Sequence, residues 1–298
     1  MKQLYGAIEA GGTKFVCAVG TGPREVVRRK TIPTTTPTAT LQETISFFKE
    51  AEREFGVLQA MGIASFGPID CHVGSPTYGQ ITSTPKAGWA KTDMVGMLSE
   101  AFDIPMGFDT DVNAAALAEW RWGCARGLGT CLYVTVGTGI GGGFVVNGQT
   151  LKGLLHPEMG HVRVQRLAED FFSGNCPYHH HQCLEGLASG PALEKRWGVR
   201  ADTLPEDHQA WVWQADYMAQ AIVNWIVTLS PEAIALGGGV MQQSHLFSPI
   251  RSRVSELLND YIQAPPILNE APDYIQPPGL GIDSGILGAF ALSMDAFK

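Results

Sequence analysis

The sequence predicts a two-lobed α/β protein with mixed sheets. Three observations predict it. A glycine-rich turn, Ala10-Gly-Gly-Thr-Lys14, joins two apolar, strand-like stretches at 4–9 and 15–19. A second turn, at 137–143, is entered by strand-like residues 131–136 and left by 144–146. Each hairpin is followed by segments that switch between helical and strand patterning. The repeat is one of layout, since the two halves show no clear residue-level match.

The elements follow in order. After the first hairpin, 25–31 reads as a third strand and 33–37 is rich in Pro and Thr. Leu41, Ile45, Phe48, Ala51 and Phe55 have helical spacing and predict a helix over 40–56. A buried strand is expected at 60–64, then a long irregular stretch at 66–89, a length that in a compact domain is functional or disordered. Residues 105–109 read as a strand and 113–122 as a helix. Past the second hairpin, Asn147-Gly148 is a tight-turn signal leading into 149–154. Helices are expected at 190–197, 214–229, 245–262 and 282–297, with a short strand at 233–236 running into three glycines.

Bulk properties narrow the function. A chain of 298 residues is long enough for two cores. The net charge is −8 and the densest basic cluster is only Arg28-Arg29-Lys30, which excludes a phosphate-backbone stripe and therefore nucleic-acid binding. The N-terminus lacks a signal-peptide layout, because Gly6 and Glu9 interrupt its first apolar residues, and no apolar run is long enough to span a bilayer. The expectation is a soluble, cytoplasmic protein with no membrane partner. Cys17, Cys71, Cys124 and Cys131 are scattered and read as reduced structural thiols; Cys176 and Cys183 stand apart.

Four motifs carry chemistry. Residues 137–142 fit G-x-G-x-x-G, but that dinucleotide fingerprint needs a helix directly after the glycines, and Phe144-Val-Val-Asn-Gly is a strand and a turn. The fit is therefore read as a hairpin whose N–H groups face phosphate oxygens, a reading strengthened by the threonine beside each turn, Thr13 and Thr138. Asp109-Thr-Asp111-Val-Asn113 lies where a strand meets a helix; its carboxylates suit an N-cap or a general base equally. Gly237-Gly238-Gly239 permits close backbone approach to a flat ligand. Glu158-Met-Gly-His161 together with Cys176-Pro-Tyr-His179-His-His-Gln-Cys183 has the ligand chemistry of zinc, two thiolates and two imidazoles, in a closed and hence structural shell. Either His180 or His181 could replace His179 as the fourth ligand.

Taken in order, Glu9–Lys14, 62–70, Thr110–Asn113, 137–143, Glu158–His161, the Cys/His cluster and 236–240 resemble the ROK family of sugar kinases, most closely its bacterial fructokinase branch. Ser83-Thr-Pro-Lys-Ala-Gly-Trp89 and Leu184-Glu-Gly-Leu-Ala-Ser-Gly-Pro191 are fructokinase-like details. The resemblance implies a two-lobed actin-like ATPase (ribonuclease H-like) fold with an interdomain cleft that closes to exclude water. It implies lobes at 1–114 plus a C-terminal helix at about 285–298, and at 115–284. By resemblance Asp111 is the base that deprotonates the attacking sugar hydroxyl. Gly67 lines the sugar pocket, and Glu158 and His161 hold sugar hydroxyls. Gly11, Gly12, Thr13, Lys14, Gly137, Thr138 and Gly139 meet the ATP phosphates, while Pro191 and Gly237, Gly238 and Gly239 lie by the adenosine. Mg²⁺ balances the phosphates, and His161, Cys176, His179 and Cys183 hold a structural Zn²⁺. The expected protein is a homodimeric, ATP-dependent fructose kinase. Mannose, glucose or an N-acetylhexosamine is the alternative substrate. A sugar-binding repressor would need a helix-turn-helix ahead of the first hairpin, and a zinc hydrolase would need an open metal position.

Three departures from the family pattern stand out. Glu9 replaces the usual Asp at the start of the first hairpin, Thr110 replaces the usual Asn before the base, and the usual one His and three Cys of the metal cluster are here reduced to two Cys.

Overall fold

The computed structural model describes residues 3–298 and divides into two units. The first comprises Met1–Ala118, Gln149–Pro157 and Asp283–Lys298; the second comprises Glu119–Gly148 and Glu158–Ile282. The segment Gln149–Pro157 thus groups with the first unit although its chain neighbours on both sides group with the second, an excursion that sequence patterning did not signal.

In the first unit, strands β1 (Leu4–Ala10), β2 (Lys14–Gly22) and β3 (Glu25–Pro33) form an antiparallel meander. Helix α1 (Pro37–Phe55) starts where Thr36 accepts from Ala39 N and Pro37 occupies the first turn, and it ends at Gly56 with φ 110°. It buries Leu41, Phe47, Phe48 and Ala51, whereas Phe55 is exposed. Strand β4 (Leu58–Ser65), the short helix α2 (Met94–Ser99) and β5 (Met106–Thr110) follow. The sheet order is β3-β2-β1-β4-β5, with β4 and β5 parallel to β1. Phe15, Leu41, Phe47, Phe48, Ile63 and Trp89 lie in its core.

Helix α3 (Asp111–Trp122) carries the chain into the second unit. There β6 (Thr130–Val136) and β7 (Ile140–Val146) form the second hairpin. The turn is only Gly137–Gly139; Gly141, Gly142 and Gly143 lie inside β7, not in the turn as sequence patterning predicts. Packing is the reason, since a methyl on Gly142 would fall 2.7 Å from Met159 Sδ. After Asn147-Gly148 come β8 (Gln149–Thr150), α4 (Leu184–Ala188), α5 (Gly190–Trp197) and α6 (Gln209–Leu229). They are followed by β9 (Ile234–Gly237), α7 (Phe247–Leu258), α8 (Pro265–Leu268), β10 (Ile275–Gln276) and α9 (Ser284–Ala296). Within the second unit the sheet runs β10-β9-β6-β7, with β6 and β7 antiparallel and β6, β9 and β10 parallel. That repeats the β5-β4-β1-β2 order of the first unit. The duplication of layout therefore extends to strand order and direction.

Helix α9 returns to the first unit and packs on β1, β4 and β5. It approaches so closely at Gly62 that a methyl there would lie 1.9 Å from the Ala289 carbonyl oxygen. Gly62→Ala is expected to cost about 3 kcal/mol or more through overpacking against backbone, read from urea unfolding. Wild-type stability in that variant would mean α9 does not dock as described.

Candidate functional site

Main-chain register places the candidate residues of the first unit. Ala10 pairs with Ser65, and Ser65 with Thr110, so one row crosses β1, β4 and β5 at their carboxyl ends. Gly11, Phe66-Gly67 and Asp111 follow that row. Ligand sites in α/β sheets gather at this edge.

The first turn is closed by Gly11 N donating to Lys14 O at 3.0 Å, and Thr34 Oγ1 donates to Gly11 O at 2.7 Å. Burial pushes the Glu9 carboxyl above its usual range, against the pull of Arg29 and Lys14. The Gly67 loop hangs from Phe66 N, which donates to Ala10 O at 2.8 Å, and from Ile69 N, which donates to His156 Nε2 at 3.0 Å. Asp70 accepts from Ser75 Oγ at 2.5 Å and Thr77 Oγ1 at 2.6 Å, and these two hydroxyls hold its carboxyl below the usual range. That contribution is present at neutral pH and is lost as pH falls through the lowered pKa.

The start of α3 separates the two readings of its carboxylates. Thr110 Oγ1 accepts from Asn113 N at 3.1 Å, which makes Thr110 the cap and puts Asp111 at the first helical position. Asp111 Oδ1 accepts from the next residue's N–H, Val112, at 2.9 Å. The helix start thus does not require Asp111 as its cap, while the helix dipole favours a negative charge there. Asp109 is fully buried and serves differently: Oδ1 takes Thr110 N and Asn113 Nδ2, each at 2.8 Å.

In the second unit the second glycine turn, α5 and the Gly237–Gly239 run come together. Gly190 N, at the start of α5 beside Pro191, donates to Gly137 O at 2.8 Å. Gly238 has φ 88° and lies against Val136, the residue before the turn. A single 3₁₀ turn, closed by His161 N donating to Glu158 O at 3.0 Å, keeps Glu158 and His161 together.

His161, Cys176, His179 and Cys183 bring their ligand atoms within 4.8 Å of one another. Cys176 Sγ is 3.9 Å from His161 Nδ1 and 3.6 Å from His179 Nδ1, and Cys183 Sγ is 3.7 Å from His161 Nδ1. Zinc bonds of about 2.3 Å to sulfur and 2.0 Å to nitrogen at tetrahedral angles put S and N about 3.5 Å apart. The donor set and its spacing therefore fit that ion. Of the three consecutive histidines, His179 is the one that joins the group; His180 has φ 52° and uses its N–H to close the loop on Cys176 O at 2.9 Å.

Two features escaped the sequence reading. Glu185, two residues past Cys183, accepts from Ile140 N at 3.0 Å through one oxygen and sits 4.0 Å from His161 Nε2 through the other. Its place just after a cysteine of the cluster was the available signal. The other is a buried anchor in the segment between His161 and Cys176. Asp170 accepts from Tyr217 Oη at 2.6 Å, and Arg196 Nη2 is 3.1 Å from the same oxygen, close enough for an ion pair though not aligned as a hydrogen bond. Arg196 stacks on the rings of Phe172 and Tyr217, 4.7 and 5.7 Å from their centroids. No spacing rule links residues so far apart in sequence.

A ROK family profile matches residues 5–296. The chain belongs to the ROK family. A fructokinase of Pediococcus pentosaceus is 45% identical, the match covering 99% of each chain. A fructokinase of Streptococcus mutans is 44% identical over 98% of each. Among solved structures, the ROK hexokinase of Thermus thermophilus superposes with a TM-score of 0.78 at 26% identity, covering 98% of each chain. The two mixed α/β sheets are those of the actin-like ATPase fold of such sugar kinases. Among the described residues no helix is long and apolar enough to cross a membrane.

Asp170→Asn leaves the Arg196 guanidinium buried without its counter-charge, and is expected to lose about 3–5 kcal/mol. Urea unfolding measures it; a loss no larger than that of an exposed ion pair would show that the anchor contributes little.

Proposed function

We propose that this protein is an ATP-dependent fructokinase, transferring the γ-phosphoryl group of ATP to D-fructose to give fructose 6-phosphate. The observation that carries the mechanism is the strand–helix junction at Thr110–Asp111, where the threonine caps the helix and the adjacent aspartate stands at its first position, at the carboxyl edge of the sheet. Near-full-length likeness to fructokinases supports the substrate. Asp111 takes the proton of the attacking hydroxyl, a role that contributes about 10²–10⁴-fold. Glu158 and His161 bind sugar hydroxyls and Gly67 shapes the sugar loop. Gly11, Gly12, Thr13 and Lys14, with Gly137, Thr138 and Gly139, face the ATP phosphates, whose charge Mg²⁺ balances. Pro191 and Gly237, Gly238 and Gly239 lie by the adenosine. His161, Cys176, His179 and Cys183 hold a zinc ion that cross-links their loop and leaves no position for a hydrolytic water. A cytoplasmic homodimer is part of the same reading.

Asp111→Asn is expected to lower kcat by about 10²–10⁴ while ATP binding persists. Full activity in that variant would refute the base. A coupled ATP-consumption assay over fructose, mannose, glucose and N-acetylated hexosamines is expected to give fructose the highest kcat/KM; a different leader corrects the substrate. Chelation is expected to lower Tm, since structural zinc supplies about 10–16 kcal/mol of apparent binding in small domains. An unchanged melting curve and a metal-free elemental analysis would remove zinc from the proposal.

A further inference from the structure

The excursion Gln149–Pro157 is fastened to the rest of the first unit at its two ends. Near its start, Thr150 Oγ1 donates to Asp109 Oδ2 at 2.7 Å, and Lys152 Nζ lies 3.0 Å from the same oxygen. Near its end, His156 Nε2 accepts from Ile69 N at 3.0 Å, two residues past Gly67. In between, Leu154 O is 3.2 Å from His72 Nε2.

Asp109 is the centre of this arrangement. Its side chain is 1% exposed, and its two oxygens divide their work. Oδ1 holds the backbone of Thr110 and the amide of Asn113, the residues that flank Asp111. Oδ2 holds the excursion through Thr150 and Lys152. A buried carboxylate with this many partners has one orientation, and so does the turn built on it. Burial works against the Lys152 ammonium, yet the attraction of Asp109 outweighs it and raises its pKa. Lys152 therefore keeps its ammonium at neutral pH. A buried ion pair adds little net stability compared with an apolar replacement, so stability alone does not account for it.

We propose that Lys152 and Asp109 are positioning residues for phosphoryl transfer: their ion pair sets the direction in which the Thr110–Asn113 junction presents the Asp111 carboxylate. Through Thr150 and His156 the same segment ties that setting to the Gly67 loop, so the base and the sugar loop are aligned by one piece of chain. The inference rests on Asp111 being the base. It adds that the base's aim depends on residues about forty positions later in sequence.

The test compares Lys152→Met, Lys152→Arg and Thr150→Val in the full-length protein. Lys152→Met is expected to lower kcat by about 10²-fold, the scale of a base misplaced by an ångström, with the Kd for ATP unchanged. Lys152→Arg, which keeps the charge, is expected to recover most of the loss. Thr150→Val removes a hydroxyl without leaving a buried charge unpaired; a smaller fall in kcat of the same kind is expected, and it decides the matter if Lys152→Met does not fold. Wild-type kcat in Lys152→Met, or a kcat loss matched by weakened ATP binding, overturns the positioning role. The two proposals fail separately. An active Asp111→Asn enzyme removes the base, whereas an inactive Asp111→Asn beside a fully active Lys152→Met removes only the positioning.

Discussion

Main-chain pairing of β1 on both of its edges is the constraint from which the first unit's chemistry follows. The strand is antiparallel to β2 and parallel to β4, and β4 is parallel to β5. These strands are buried almost continuously, and in their register Ala10, Ser65 and Thr110 lie in one row. The next residues, the first glycine turn, the Gly67 loop and Asp111, then leave the sheet at one edge. The second unit obeys the same rule: β6 is antiparallel to β7 and parallel to β9, with Thr135 opposite Gly237. The second glycine turn and the Gly237–Gly239 run consequently leave that sheet side by side.

Buried charge refines what the sheets place. Asp109 shares one carboxylate between the junction before α3 and the segment that carries Lys152. Asp170 and Arg196 do comparable work in the second unit, holding the chain between His161 and Cys176 onto α5 and α6. In both places a charge is kept in the interior at a desolvation cost that its counter-charge and neighbours offset. Such networks specify geometry more than they add stability. Their position beside the candidate base and beside the metal cluster is where geometry matters most.

The Cys/His cluster is continuous with the second glycine turn through Glu185. Cys183 precedes α4, and the first turn of that helix puts the Glu185 carboxylate between His161 and Ile140 N. The candidate sugar, metal and phosphate residues of the second unit are thus neighbours by covalent connection and by hydrogen bond.

Local patterning alone determined the glycine hairpins, the helix-and-strand order that follows them, and the rejection of a dinucleotide site, because turn chemistry and hydrophobic period act over a few residues. The Cys/His spacing was equally legible, since a loop that short holds its ligands close. The choice among His179, His180 and His181 was not, because it depends on which backbone adopts a left-handed conformation as the loop closes. Nor was the division of labour at 109–111, where Asp109 and Asp111 look alike in sequence. Only the fold buries the first among Thr150, Lys152 and Asn113, lets Thr110 cap the helix, and leaves the second at the helix start. Sequence records which groups are present. Their ionic partners, drawn from distant segments, are chosen by the burial that tertiary structure imposes, because an interior carboxylate must find every donor it needs wherever the chain supplies one.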